Sequence, residues 1–190
     1  MTRPIATTRS SAGMPTGRLA VWWIIASEVF IFGGLLASYI MHRLAHDAWS
    51  DQAAYTNVLA GSVNTFVLLT SSLTAVLAHQ AADEGDGKKA AKFLGFTMIG
   101  GTIFAVIKAF EWNYEISHGF TLTSNTFWSF YYTAAGLHAL HVIAGVIIMG
   151  FVAAAAAKGR ELQRVELIGV YWHFVDIVWI FLFPLLYIAK

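Results

Sequence analysis

Five long apolar stretches, at about 19–41, 58–79, 93–113, 127–157 and 165–188, separated by short polar segments, constrain this chain more than any other feature. An α-helix needs roughly 20 mostly apolar residues to cross a ~30 Å hydrocarbon core, and each stretch is long enough. Inside a bilayer the backbone must satisfy its own hydrogen bonds, which leaves helices as the natural outcome for such stretches. Only 12% of the 190 residues are charged, against roughly 25% in a soluble domain. The expected fold class is all-α, an integral membrane bundle of five transmembrane helices over 19–190, preceded by a polar tail over 1–18. The apolar run after that tail is too long for a signal-peptide core, so an uncleaved first span is expected. The fourth stretch exceeds what a crossing needs, and its alanine run at 153–157 is free to extend into water.

The cations predict a direction. Arg3, Arg9 and Arg18 precede the first span, Lys88, Lys89 and Lys92 lie between the second and third, and Lys158, Arg160 and Arg164 lie between the fourth and fifth. Only Arg43 and Lys190 fall on the other side, with Lys108 inside the third span. Nine against two predicts a cytoplasmic N-terminus and an external C-terminus. Trp22, Trp23, Trp112, Tyr114, Trp128 and Tyr187 fall near span ends, where aromatic belts form.

Against that apolar background a few polar residues stand out. Glu28 lies ten residues beyond Arg18 and Asp176 twelve beyond Arg164, which is about 15 and 18 Å along a helix and close to the midplane. His138 and His141 are central in the fourth span, and His173 lies in the fifth. Spacings of three put His138 with His141, and His173 with Asp176, on shared helix faces. Such side chains must find partners in one another, in another subunit or in lipid headgroups. The residues alone leave three readings open: a His/Asp metal site, a proton path, or a polar cluster that locks helices together or lines a lipid cleft. Cysteine is absent, which excludes disulfides, thiolate metal sites, iron–sulfur clusters and cysteine nucleophiles. Nothing in the charge pattern calls for nucleic acid.

Span five, YWHFVDIVWIFLFPLLY (171–187), resembles the last helix of haem–copper oxidase subunit III. FYYTAAGLHALHVIAG (130–145) is similar to that family's Gly-x-His-x-x-His-Val-x-x-Gly pattern, and SEVFIFGGLL (27–36), NTFVLLTSS (64–72) and IKAFEW (107–112) follow in family order. The resemblance runs from about residue 19 to the end. It implies a subunit with no redox centre of its own, in an O2-reducing complex fed by cytochrome c or quinol in the bacterial inner membrane. Haem and copper would sit in partner subunits, with subunit I the main contact and subunit II a further partner. It also implies roles in stabilising subunit I, supporting proton uptake and holding phospholipid in a cleft. Glu28 matches the family's buried, carbodiimide-reactive glutamate beside that lipid, and His138, His141, Trp172, His173 and Asp176 become packing and lipid-cleft residues. No catalytic, cofactor or metal ligand is then expected in this chain.

The sequence departs from the family pattern in places. The longer family form has seven helices, so this chain resembles the five-helix bacterial type. Ala135 and Ala139 replace a threonine and a glycine around the first histidine, and Lys108 stands where many members carry glutamine. Lys108, with LFPLLY near the end, is also similar to subunit-III-like accessory proteins of nitric-oxide reductases, which is the alternative reading. Lys108 and Glu111 are expected to pair or snorkel near the outer surface. The small residues of 64–72, with Gly33–Gly34, Gly100–Gly101, Gly136 and Gly145, read as helix contact points. His42, His46, Asp47 and Asp51 form a first outer loop that is read as solvated.

Overall fold

A computed structural model describes residues 16–45 and 49–189. The tail cations Arg3 and Arg9, the loop residues His46 and Asp47, the side chain of Asp51, and Lys190 lie outside the described residues. The elements are α1 (Thr16–Ala45), a short α2 (Trp49–Ala53), α3 (Val58–Asp83), α4 (Gly87–Ser117), α5 (Thr126–Ala156) and α6 (Gln163–Phe183), which ends in a π-helical turn, Pro184–Ile188. Among the described residues there are five helices long and apolar enough to cross a membrane, and no strand. Each matches its expected stretch, extending it by a turn or so at most ends, except that α5 stops at Ala156, one residue short of the expected 157. Only α2 had no counterpart in the sequence reading, because five residues are too few to show a helical period.

The helix boundaries follow from local chemistry. Asn57, Asp86 and Asn125 each accept a hydrogen bond at their own side-chain oxygen from the backbone N–H three residues on, at 3.0, 2.9 and 3.0 Å. This satisfies one of the donors that the first turn leaves unpaired. Gly85 and Gly159 end α3 and α5 with φ of 80° and 66°, a conformation that costs glycine nothing. Pro184 has no N–H to continue α6, and the widened turn that follows closes on the Ala189 N–H to Pro184 carbonyl bond at 2.7 Å.

Helices α3, α4, α5 and α6 form a closed ring in which each packs against its two neighbours, and α1 leans on α5 and α6 from outside. Three polar contacts pin α1. Arg18 pairs with Glu166 at 2.6 Å at one end, Glu28 meets His141 at 3.1 Å in the middle, and the Tyr39 hydroxyl donates to the Leu185 carbonyl at 2.6 Å at the other end. Arg18, Lys88, Lys89, Arg160 and Arg164 gather at one end of the bundle, the basic end, opposite the far end. Around the ring, glycines set the spacing. A Cβ on Gly100 would lie 2.6 Å from the Ser71 Cβ, and one on Gly101 would lie 2.6 Å from the Trp172 ring. Gly33, Gly34 and Gly136 make no such close contact, so of the expected contact glycines only Gly100, Gly101 and Gly145 serve that purpose within the chain.

Gly100→Ala is expected to push α3 from α4 and lower unfolding stability in detergent by about 1–3 kcal/mol. Gly95→Ala, where a Cβ meets nothing within 4 Å, should leave stability unchanged or slightly raised. Equal losses for the two in a denaturant titration would remove the close-packing account.

Candidate functional site

Helix α6 carries Trp172, His173 and Asp176 of the residues singled out above, and three hydroxyls on α3 hold it. Trp172 Nε1 donates to Ser71 Oγ at 3.0 Å, Trp179 Nε1 donates to Thr65 Oγ1 at 3.0 Å, and His173 Nδ1 lies 2.7 Å from Ser72 Oγ. The two helices run antiparallel, so residues about seven apart on each meet in order. The Trp172 ring fills the space left by Gly101 on α4 and Gly145 on α5, where a Cβ would stand 2.6 and 3.0 Å from its carbons. The NTFVLLTSS segment therefore supplies a row of hydroxyl partners for α6.

The four candidate ligands do not converge. His138 is fully buried, stacked on Trp179 at 5.1 Å and edge-on to Phe104 at 5.3 Å, with neither ring nitrogen hydrogen-bonded. His141, one turn away, faces α1 and Glu28. The contact is a close approach rather than a hydrogen bond, since Glu28 Oε2 has no well-aligned donor. His173 goes to Ser72, and Asp176 also faces Ser72 without a well-aligned bond to it. His173 and Asp176 share a face, as their spacing predicts, but the hydrogen bond runs to α3. Among the described residues no three His, Asp or Glu side chains stand close enough together to hold a metal ion. His42, expected in a solvated loop, belongs to the last turn of α1, with Nδ1 2.9 Å from the Ser38 carbonyl and its ring 5.2 Å from that of Phe130.

Lys108 and Glu111 do pair, at 3.1 Å, but the expectation of an outer-surface pair is corrected, because Lys108 is only 1% exposed. The ring of helices encloses it about nine residues before the end of α4, too far inside to snorkel. Its ammonium donates to Glu111 Oε2, to the Tyr131 hydroxyl at 2.9 Å and to the Tyr187 hydroxyl. The rings of Tyr131, Tyr187, Trp112 and Trp179 surround it at 4.7, 5.0, 5.6 and 5.7 Å, and their faces favour a cation. Glu115 Oε1, one turn on, lies 2.8 Å from the Tyr131 hydroxyl. The sequence reading missed Glu115, Tyr131 and the role of Tyr187. The spacing of four between Glu111 and Glu115 was a usable signal, whereas the approach of Tyr131 and Tyr187 depends on how α5 and the terminal π turn pack.

A cleft of about 550 Å³ opens between α1, α5 and α6, walled by apolar side chains such as Ile24, Ile148 and Phe151, with His141 and Tyr171 deeper in and Arg164 at the basic end. It exists because α1 packs on the ring less closely than the ring helices pack on one another.

The family described as cytochrome c oxidase subunit III matches residues 6–190. The chain belongs to the cytochrome c oxidase subunit III family. It is similar to cytochrome c oxidase subunit 3 of Corynebacterium diphtheriae, 32% identical over 87% of this chain and 84% of the relative. The protein of the same name from Thermostichus vulcanus is 31% identical over 86% of this chain and 83% of the relative. A protein of Aeropyrum pernix named heme-copper oxidase subunit I+III is 31% identical over 90% of this chain and 22% of its own length. As a subunit III of a haem–copper oxidase, the chain is a multi-pass membrane protein that works in complex with other oxidase subunits of the respiratory chain.

Trp172→Ala is expected to cost about 3–5 kcal/mol through the cavity it leaves. Ser71→Ala, which only strands the indole N–H, should cost about 0.6–1.7 kcal/mol. Unfolding of the subunit in detergent measures both, and a Ser71→Ala loss as large as that of Trp172→Ala would show that the hydrogen bond outweighs the packing.

Proposed function

We propose that this subunit stabilises the catalytic subunit I and holds phospholipid in the α1–α5–α6 cleft, and that it supports proton uptake without carrying a redox centre. The observation that carries this reading is the cleft itself. Its walls are apolar over most of their length, and Arg164 stands at the mouth where a headgroup phosphate would lie. An arginine guanidinium matches phosphate geometry with paired donors, and the buried apolar walls suit acyl chains. Glu28 and His141 close the inner side of this region, consistent with the lipid-cleft role that the resemblance implies for Glu28.

The basic end then lies in the cytoplasm and the C-terminus outside, as the nine-to-two cation count favours. The name of the Aeropyrum pernix relative joins subunits I and III, which supports subunit I as the main contact. Subunit II is a further partner, haem and copper reside in those subunits, and the electron donor is cytochrome c or quinol. The exposed apolar side chains of α1, among them Trp23, Phe30 and Leu44, leave that helix free to meet lipid or a neighbouring subunit.

Removing this subunit from the purified oxidase should leave the haem spectrum and metal content unchanged. Oxygen consumption followed until it stops should show near-normal initial turnover and an earlier inactivation, partly restored by adding back the subunit with phospholipid. Arg164→Ala should lower the bound phospholipid found by mass analysis and shorten the active lifetime in the same assay. Loss of stoichiometric iron or copper with the subunit would overturn the proposal, and His138, His141, His173 and Asp176 would then be the first residues to test.

A further inference from the structure

The cluster around Lys108 is one hydrogen short. Lys108 has three ammonium hydrogens, and they are accounted for by Glu111 Oε2, Tyr131 and Tyr187. The Tyr131 hydroxyl has a single hydrogen, yet its oxygen lies 3.0 Å from Glu111 Oε1 and 2.8 Å from Glu115 Oε1. Whichever carboxylate receives that hydrogen, the other is left with lone pairs facing lone pairs at contact distance. Tyr132 does not relieve this, since its hydroxyl donates to the Phe120 carbonyl at 2.7 Å and stands 3.4 Å from Glu115 Oε2. The charge count agrees. Two carboxylates and one ammonium leave a net negative charge where Glu115 is 2% exposed and Lys108 1% exposed, a costly state in a low-dielectric interior.

We infer that Glu115 carries an exchangeable proton, and that this cluster is a proton-binding site serving the far side of the membrane. With the carboxyl protonated, Glu115 donates to the Tyr131 oxygen, Tyr131 donates to Glu111 Oε1, and Lys108 balances Glu111, so both contacts between a carboxyl and Tyr131 have a hydrogen and the cluster is neutral. The proton enters from water and leaves to water, with no other bond changing. A cavity of about 320 Å³ provides the route, bordered by Glu111 and Glu115 inside and by Ala60, Tyr55, Asn57 and Tyr114 toward the far end. The His118 ring lies 4.1 Å from that of Tyr114, tilted by 36°, near that mouth. The titratable and charged groups facing the site are Lys108 and Glu111 from α4, Tyr131 and Tyr132 from α5, and Tyr187 from the terminal turn. His138 lies deeper, sharing the Trp179 ring with Lys108. Helix α3 contributes only neutral groups, its ionisable residues His79 and Asp83 being at its opposite end.

Infrared difference spectroscopy of the intact oxidase in vesicles tests this. The wild type should show a protonated-carboxyl stretching band that shifts on transfer to heavy water and is lost in Glu115→Gln, a variant that keeps the shape of the side chain. Lys108→Gln should enlarge the band, because Glu111 then gains a proton as well. Ala60→Phe, which narrows the cavity, should leave the band in place and slow its isotope shift several-fold. A carboxyl signal unchanged by Glu115→Gln would overturn the assignment, and exchange unaffected by Ala60→Phe would overturn the route. The test reads a vibrational band and is independent of whether the α1 cleft holds lipid.

Discussion

The structure depends on a single constraint, that a polar side chain inside the bilayer has no water to turn to and must find its partner in protein. The α3–α6 interface is the plainest answer to it. Two indole N–H groups and an imidazole on α6 meet Thr65, Ser71 and Ser72 on α3, and each partner is a small hydroxyl that lets the backbones stay close. An individual hydrogen bond of this kind contributes only about 0.6 kcal/mol on average. Their larger effect is on register, because sliding α6 by one turn would leave three donors or acceptors stranded at once. With α6 set, the glycines of α4 and α5 receive the Trp172 ring, and the ring of four helices closes.

The same constraint explains why Lys108 is tolerated. A lysine ammonium surrounded by protein is expensive unless charge and hydrogen bonds are both balanced. Here a glutamate, two phenols and four aromatic rings do that together. One of the phenols arrives only because Pro184 interrupts α6 and the π turn that follows turns Tyr187 inward, fully buried against the ammonium. The same turn presents the Leu185 carbonyl to Tyr39 of α1. A proline near the end of the last span thus helps to position a buried charge and to pin the outermost helix.

The outermost helix marks the division of labour. The four-helix ring is held by close glycine contacts and interhelical hydrogen bonds, while α1 is held by Arg18–Glu166, Glu28–His141 and Tyr39–Leu185. The first of these is an exposed ion pair, which adds little, and α1 packs less closely on the ring than the ring helices do on one another, so it is attached lightly along a long edge. That light attachment leaves the cleft open, and it leaves most of the apolar surface of α1 available to the rest of the oxidase or to lipid.

The five spans were legible in the sequence because length and hydropathy alone decide whether a helix crosses a bilayer. The family was legible because the motifs of spans four and five join rare residues at fixed spacing. Periodicity correctly put His173 and Asp176 on one face, and His138 beside His141. It could not say that His138 turns into the bundle while His141 turns out to α1, since a helical face is wide enough for residues three apart to meet different neighbours. Nor could it tell a snorkelling Lys108 from an enclosed one, because both have the same local sequence. What encloses the lysine comes from 23 and 79 residues further along the chain. The sequence by itself determined how many long apolar helices there are and what family the chain joins. Only the tertiary structure decided which polar residues share a partner, because that depends on which faces of distant helices are pressed together.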